Sequence, residues 1–169
     1  MQTAYLLLGG NLGDLSQTFD RVVNLLEGAG VVILQRSSRY QSEPWGMVSD
    51  KMFCNQAVEV STRLEPADLL TVLLDIEHLL GRKRVVGQLI SRTIDIDILI
   101  YGDLRMSTSA LVLPHPRMHL RRFALLPLFE IAPDLHHPVL DKTIEQLLAH
   151  CPDQSRVIKL EGSCQNNAS

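Results

Sequence analysis

Arg92-Thr93-Ile94-Asp95-Ile96-Asp97-Ile98-Leu99-Ile100-Tyr101 is the stretch on which the reading of this chain turns. Aspartates alternate with isoleucines, and the run stays β-branched and apolar to its end. That alternation predicts a half-buried strand. Side chains two apart on a strand share a face, so Asp95 and Asp97 point the same way. Aspartate is a poor strand former, and like charges on one face repel. The arrangement calls for positive charge, and a hard divalent cation held by carboxylate oxygens meets that need. A merely solvated face would more readily use Thr, Lys or Glu. All-oxygen ligands point to Mg²⁺ or Mn²⁺ and away from zinc, and two adjacent carboxylates suit a bridged metal pair.

The charge on either side of this strand is one-sided. Residues 82–92 carry Arg82, Lys83, Arg84 and Arg92 with no acid, and residues 115–122 carry three arginines and two histidines with no acid. A charge run is most simply a solvated loop. Here both runs adjoin the paired aspartates, which suits a polyphosphate: metal takes some oxygens and arginine takes others bidentately. A loop over 81–91 with Gly87 inside it is expected to close over phosphates and exclude water. His115 stands rigidly between two prolines and is a phosphate donor candidate. His136-His137 lacks metal-ligand spacing and is assigned no role.

Working outward, residues 3–8 read as a first strand ending at Gly9-Gly10. Asp14 and Gln17 fit a capping box, and Phe19, Val22, Val23 and Leu26 make the core stripe of a helix. Residues 31–40 read as a second strand and 53–62 as a third, with a loop over 41–51 between them. A second helix starts near Pro66, with Leu69, Val72, Leu73, Ile76 and Leu80 as its stripe and Gly81 at its end. The aspartate strand completes strand–helix–strand–strand–helix–strand, the ferredoxin-like α+β pattern. C-terminal additions follow: a short strand over 111–113, a proline-interrupted helical segment over 120–131, a short helix capped by Thr143 and Gln146, and an edge strand over 156–160. Residues 1–161 read as a single domain and 162–169 as a disordered tail.

The 169 residues are 46% hydrophobic, ordinary for one globular domain with a proper core. No apolar run approaches a membrane span, and the start has no secretory pattern. The three cysteines are scattered, with neither metal-ligand nor disulfide spacing, which suggests a reducing cytoplasm. A net charge of −3 argues against a general nucleic-acid binder. Gly9-Gly10-Asn11-Leu12-Gly13 spells neither a dinucleotide fingerprint nor a P-loop, and tight-turn geometry explains it better. Phe53 and Asn55 share a strand face. An aromatic plane beside an amide suits a flat heterocycle, although Phe53 and Phe123 read by default as core.

Taken together, these pieces resemble the 6-hydroxymethyl-7,8-dihydropterin pyrophosphokinase family of the folate pathway. The matching segments are Gly9-Gly10-Asn11-Leu12-Gly13-Asp14, Ser42-Glu43-Pro44-Trp45-Gly46, Phe53-Cys54-Asn55, Glu77-His78-Leu79-Leu80-Gly81-Arg82, Arg92 through Ile98, Pro114-His115-Pro116, Arg121-Arg122-Phe123, and Pro127 through Pro133. The resemblance implies a ferredoxin-like monomer acting on two small molecules, ATP and the dihydropterin, with no nucleic acid and no membrane. It implies transfer of pyrophosphate from ATP to the hydroxymethyl oxygen, with release of AMP. Asp95 and Asp97 match ligands of two Mg²⁺ ions. Phe53 and Phe123 match rings that sandwich the pterin, Asn55 matches a residue that hydrogen-bonds it, and Ser42, Pro44, Trp45 and Gly46 line the same pocket. Arg82, Arg92, His115 and Arg121 match groups on the ATP phosphates, with Arg82, Arg92 and Arg121 also assisting transfer. Glu77, Arg84 and Ile98 match nucleotide-side positions.

Three positions depart from some relatives: Phe53 replaces a tyrosine, and Leu89 and Pro116 stand where aromatics occur. Two rivals remain at this level. One is a non-catalytic ferredoxin-like module binding RNA or a small regulator; an RNA binder of that fold would expose aromatics where this chain has acids. The other is another Mg²⁺-dependent phosphoryl or nucleotidyl transferase, or a nuclease, since paired carboxylates serve those reactions too.

Overall fold

A computed structural model describes residues 1–43, 52–81 and 94–161. The 44–51 segment with Pro44, Trp45 and Gly46, the 82–93 segment with Arg82, Arg84, Leu89 and Arg92, and the 162–169 tail lie outside the described residues.

The centre is an antiparallel sheet. Strand β1 (Gln2–Gly10) runs between β4 (Phe53–Thr62) and β5 (Asp95–Tyr101). On the far side of β4 lie β2 (Val32–Arg36) and β3 (Arg39–Ser42), and β8 (Val157–Leu160) pairs with the outer edge of β3. Helices α1 (Leu15–Gly28) and α2 (Pro66–Leu79) cover one face. Helices α3 (Arg122–Ile131) and α4 (Ile144–Ala149) cover the other. This is the expected α+β architecture, with the C-terminal additions packed as a second helical layer. Helices on both faces explain why Leu6, Leu7 and Leu8 are consecutive in sequence and all buried. Leu6 and Leu8 pack towards α1 and α2 with Phe19, Leu69 and Leu73. Leu7 packs the other way, with Leu125, Leu128 and Ile144.

The helix punctuation follows the sequence. Asp14 caps α1 by accepting the Gln17 N–H at 3.1 Å. Pro66 opens α2, and Gly81 follows its C-cap with φ +91°. Thr143 and Gln146 form a complete capping box at α4.

Three elements differ from expectation. The single strand expected over 31–40 is two strands, broken at Ser37 and Ser38. There the Ser37 hydroxyl accepts the Ala57 N–H at 2.9 Å, and the Gln56 amide donates to the Ser37 carbonyl at 2.6 Å. The Ser38 N–H turns to the Glu130 carboxylate. Side-chain partners thus satisfy backbone groups that a regular ladder would have taken. The second strand also reaches Ser42, further than the loop expected from residue 41. The expected 120–131 helix is a 3-10 turn at Met118–Leu120 followed by α3, with an extended Arg121 between them. The short strand at Val112–Leu113 (β7) pairs with β6 (Met106–Ser107), a two-residue partner too short to show alternation. Cysteine chemistry departs as well: Cys151 is a free buried thiol, but Cys54 is disulfide-bonded, which sequence spacing could not reveal.

His137 lies just before α4 and is buried. Its Nδ1 accepts the N–H groups of Val139 at 3.2 Å and Leu140 at 3.0 Å. Burial, and then the nearby His119, lower its pKa from 6.5 to about 4. The native ring therefore stays neutral where the unfolded chain takes a proton. Its contribution to stability is intact above the unfolded value and is lost as pH falls through the 6.5-to-about-4 window. Urea unfolding across this window is expected to show a His137-dependent loss of up to about 1.4 kcal/mol per pH unit. The variant His137→Asn, whose Oδ1 keeps the turn acceptor, should show a shallower dependence; an unchanged slope would contradict the assignment.

Candidate active site

Sheet register assembles the central residues. Gly9 of β1 lies opposite Asp95 on one side and Asn55 on the other, and Leu7 lies between Asp97 and Ala57. Asp95, Gly9 and Asn55 thus form one row across three strands, with Asp97 in the next row of the same face. Both aspartates are half-buried, while Ile96 and Ile98 between and beyond them are buried in the opposite core. The expected alternation is therefore present, and it points both carboxylates to one face.

Asn55 is 3% exposed, and its Nδ2 donates to the Ser42 Oγ at 3.0 Å. A Cβ placed on Gly9 would lie 2.9 Å from Asn55 Oδ1. Gly9 is therefore needed for close approach inside a strand. The tight-turn explanation fails for it; the turn glycine of this segment is Gly13, at φ +77°. Phe53 sits half-buried at the start of β4, opposite Ser42 and two residues from Asn55.

Arg121 and Phe123 come from the junction of the 3-10 turn and α3. The Arg121 guanidinium carbon stands 5.7 Å from the Phe123 ring centroid, a cation–π distance. Phe123 also packs at the edge of the α3–α4 core. His115 is docked on β5 through its N–H, which donates to the Leu99 carbonyl at 2.8 Å. Its Nδ1 accepts the Arg117 N–H at 3.1 Å, so the proton of the neutral ring lies on Nε2. Burial, then the Arg121 charge, lower the His115 pKa from 6.5 to about 4, with Asp95 pulling the other way. At neutral pH His115 is an uncharged donor within the fields of both Arg121 and Asp95.

A cleft of about 260 Å³ opens between β5 and the β6–β7 hairpin. Asp97, Ile98 and His115 line it, with Leu70, Leu111 and Pro116 as apolar walls. Leu70 and residues 108–112 were not expected here: Leu70 lies off the core stripe of α2, and the hairpin carries no motif. Glu77, expected on the nucleotide side, lies under β5. It is 2% exposed, and its Oε1 accepts the Ile96 N–H at 2.8 Å, between the two aspartates. It braces the strand that carries them.

Of the expected site residues, the structure gathers Asp95, Asp97, Asn55, Ser42 and Phe53 on one sheet face and Asp97, Ile98 and His115 at one cleft, with the Arg121 charge acting on His115. Among the described residues no three His, Cys, Asp or Glu side chains converge as a metal site. Two carboxylates alone fit a hard cation that draws its remaining ligands from water and a phosphate substrate, as Mg²⁺ does.

The Gly9–Asn55–Ser42 contact is testable by a double-mutant cycle. Ser42→Ala is expected to cost about 1 kcal/mol in the wild-type background and close to nothing beside Gly9→Ala, where the new Cβ has already displaced Asn55. Additive losses in urea unfolding would contradict the coupling.

Comparison with known proteins bears on this site. The family model of 7,8-dihydro-6-hydroxymethylpterin-pyrophosphokinase matches residues 5–133. A 2-amino-4-hydroxy-6-hydroxymethyldihydropteridine pyrophosphokinase of Methylorubrum extorquens is 40% identical over 162 residues, covering 95% of this chain and 100% of that protein. The Bacillus subtilis enzyme of the same name is 42% identical over 129 residues, 76% of this chain and 77% of its own length. Among solved structures, Plasmodium falciparum HPPK-DHPS with pteroate superposes with a TM-score of 0.73 at 17% identity, over 88% of this chain. This chain spans 44% of that longer one, and the likeness speaks to the fold alone. Matched by the family model through both aspartates and the α3 junction, the chain belongs to the 7,8-dihydro-6-hydroxymethylpterin-pyrophosphokinase family.

Proposed function

We propose that this protein transfers pyrophosphate from ATP to the hydroxymethyl oxygen of 6-hydroxymethyl-7,8-dihydropterin, releasing AMP, in folate biosynthesis. The observation that carries this reading is the shared face of Asp95 and Asp97, with Asn55 two strands inward and the His115 cleft at the β5 edge.

In this reading Asn55, oriented by Ser42, hydrogen-bonds the edge of the pterin. Phe53 and Phe123 stack on its faces, and Ser42, Pro44, Trp45 and Gly46 line the pocket. The nucleotide occupies the cleft beside Ile98, with Arg84 on its side. Glu77 serves the nucleotide site indirectly, by holding β5. The neutral His115 donates from Nε2–H to a phosphate oxygen without needing to be charged. Arg82, Arg92 and Arg121 neutralise the charge that develops on the transferred group. Asp95 and Asp97 would hold two Mg²⁺ ions, which when bound would screen the phosphate oxygens and lower the pKa of the hydroxyl. The hydroxyl oxygen attacks the β-phosphorus, the bond to the α–β bridging oxygen breaks, AMP departs, and the hydroxyl proton passes to solvent. Positioning and electrostatics carry the rate, as in other phosphoryl transfers.

The unit we assign to this chemistry is one domain over residues 1–161, a monomer acting on small molecules. No helix among the described residues is long and apolar enough to cross a membrane. The compartment proposed is the cytoplasm, where ATP is available; the Cys54 disulfide stands apart from that setting, in which thiols are kept reduced.

Incubation with ATP, Mg²⁺ and the hydroxymethyl-dihydropterin should yield AMP and the pterin diphosphate in equal amounts. ADP, or inorganic pyrophosphate without modified pterin, would instead favour another phosphoryl or nucleotidyl transferase. Asp95→Ala and Asp97→Ala should each lower turnover by about 10³-fold or more with little change in Tm; near-normal rates would refute the metal assignment. Arg121→Ala should lower kcat by about 10²-fold and move KM for the pterin far less. An unchanged kcat would remove Arg121 from the transfer step.

A further inference from the structure

The Pro114-His115-Pro116 segment has a cleft on each side. His115 and Pro116 line both, but the second cleft, about 490 Å³, has no part in the function above. Its walls are largely apolar, with Met106 and Leu113 from the β6–β7 hairpin and Val139 and Leu140 from the turn before α4. Two imidazoles, His119 and His137, also line it. Their ring centroids are 6.2 Å apart at 77°.

The proton positions decide what these rings can do. His137 is 4% exposed, and its Nδ1 accepts two backbone N–H groups, so the neutral ring carries its proton on Nε2. That Nε2–H is buried and has no partner among the described residues, and the same is true of His119 Nδ1. Buried donors are seldom left unpaired. A metal ion is a poor answer: ligating histidines normally donate a proton from the second nitrogen, whereas here the second nitrogen accepts. The fixed Nε2–H asks for an acceptor. Arg105 is the one permanent cation on the walls, and no acidic side chain lines the cleft among the described residues.

We propose that this cleft binds a small carboxylate with a flat, apolar body, whose carboxylate accepts the His137 Nε2–H and faces Arg105. Apolar walls take the body, the His137 N–H meets the polar end, and the charge is balanced from the side. The site is separate from the pyrophosphate-transfer reading and does not rest on it.

Benzoate is the probe, with benzamide as its uncharged counterpart. The imidazole ¹⁵N–¹H resonances of His119 and His137, followed at pH 7.5, should shift saturably with benzoate. Benzamide should bind about tenfold more weakly, and Arg105→Ala should weaken benzoate by about the same factor. His137→Asn keeps the Val139–Leu140 turn acceptor and removes the donor; in it the His119 response to benzoate should disappear. Should that variant fail to fold, the Arg105→Ala and benzamide comparisons carry the test alone. The proposal is overturned if benzoate gives no saturable shift, if benzamide or Arg105→Ala binds equally well, or if the His137 N–H exchanges slowly and ignores the probe, which would mark a buried water as its partner.

Discussion

Two carboxylates held on one face of a strand constrain the rest of this structure. By strand rise they stand about 6.6 Å apart. Like charges on one strand face repel, and their surroundings must balance that repulsion. A lone strand would relieve it by twisting or by slipping one residue. Here slippage would drive Ile96 and Ile98 out of the α1–α2 core, so burial on one face locks charge on the other. The Glu77 carboxylate adds a second lock by taking the Ile96 N–H from below. The buried face of the strand therefore fixes the orientation of its charged face.

The same logic extends across the sheet. Gly9 forgoes a side chain so that Asn55 can lie over it, and Ser42 then fixes the Asn55 amide. The α3–α4 layer covers the remainder of that face, packing on Leu7, Ala57 and Leu99 of the strands, and the entry to α3 delivers Arg121 and Phe123. The polar candidate-site residues and the apolar packing thus share one sheet surface, divided along the strands. His115 is tied to β5 through the Leu99 carbonyl, which couples the Pro-His-Pro segment to the strand bearing the aspartates.

Much of this was legible in the chain. Long periodic elements announced themselves: α1 through its stripe and Asp14 cap, α2 through Pro66 and Gly81, and β5 through the alternation of its first half. The shared orientation of Asp95 and Asp97 followed from the two-residue period alone. What escaped was decided by contacts between distant segments. Ser37 breaks β2 from β3 because Ala57 and Gln56, twenty and nineteen residues away, satisfy it. Gly9 resembled a turn residue because the Asn55 side chain above it is set by register, which sequence does not display. The contact of Glu77 with the Ile96 N–H gave no signal either, because it joins α2 to a strand nineteen residues away. His137 gave no signal, since its role depends on which nitrogen faces the turn. Of the two basic segments that suggested phosphate, the one over residues 82–92 lies outside the described residues.

Isothermal titration of the protein with a non-hydrolysable ATP analogue, with Mg²⁺ and then with the metal removed by EDTA, tests the central claim most directly. If the two aspartates exist to hold metal against a triphosphate, affinity should fall at least about tenfold on metal removal. Equal affinity in the two conditions would mean that the carboxylates serve some other purpose, and the reading built on them would not stand.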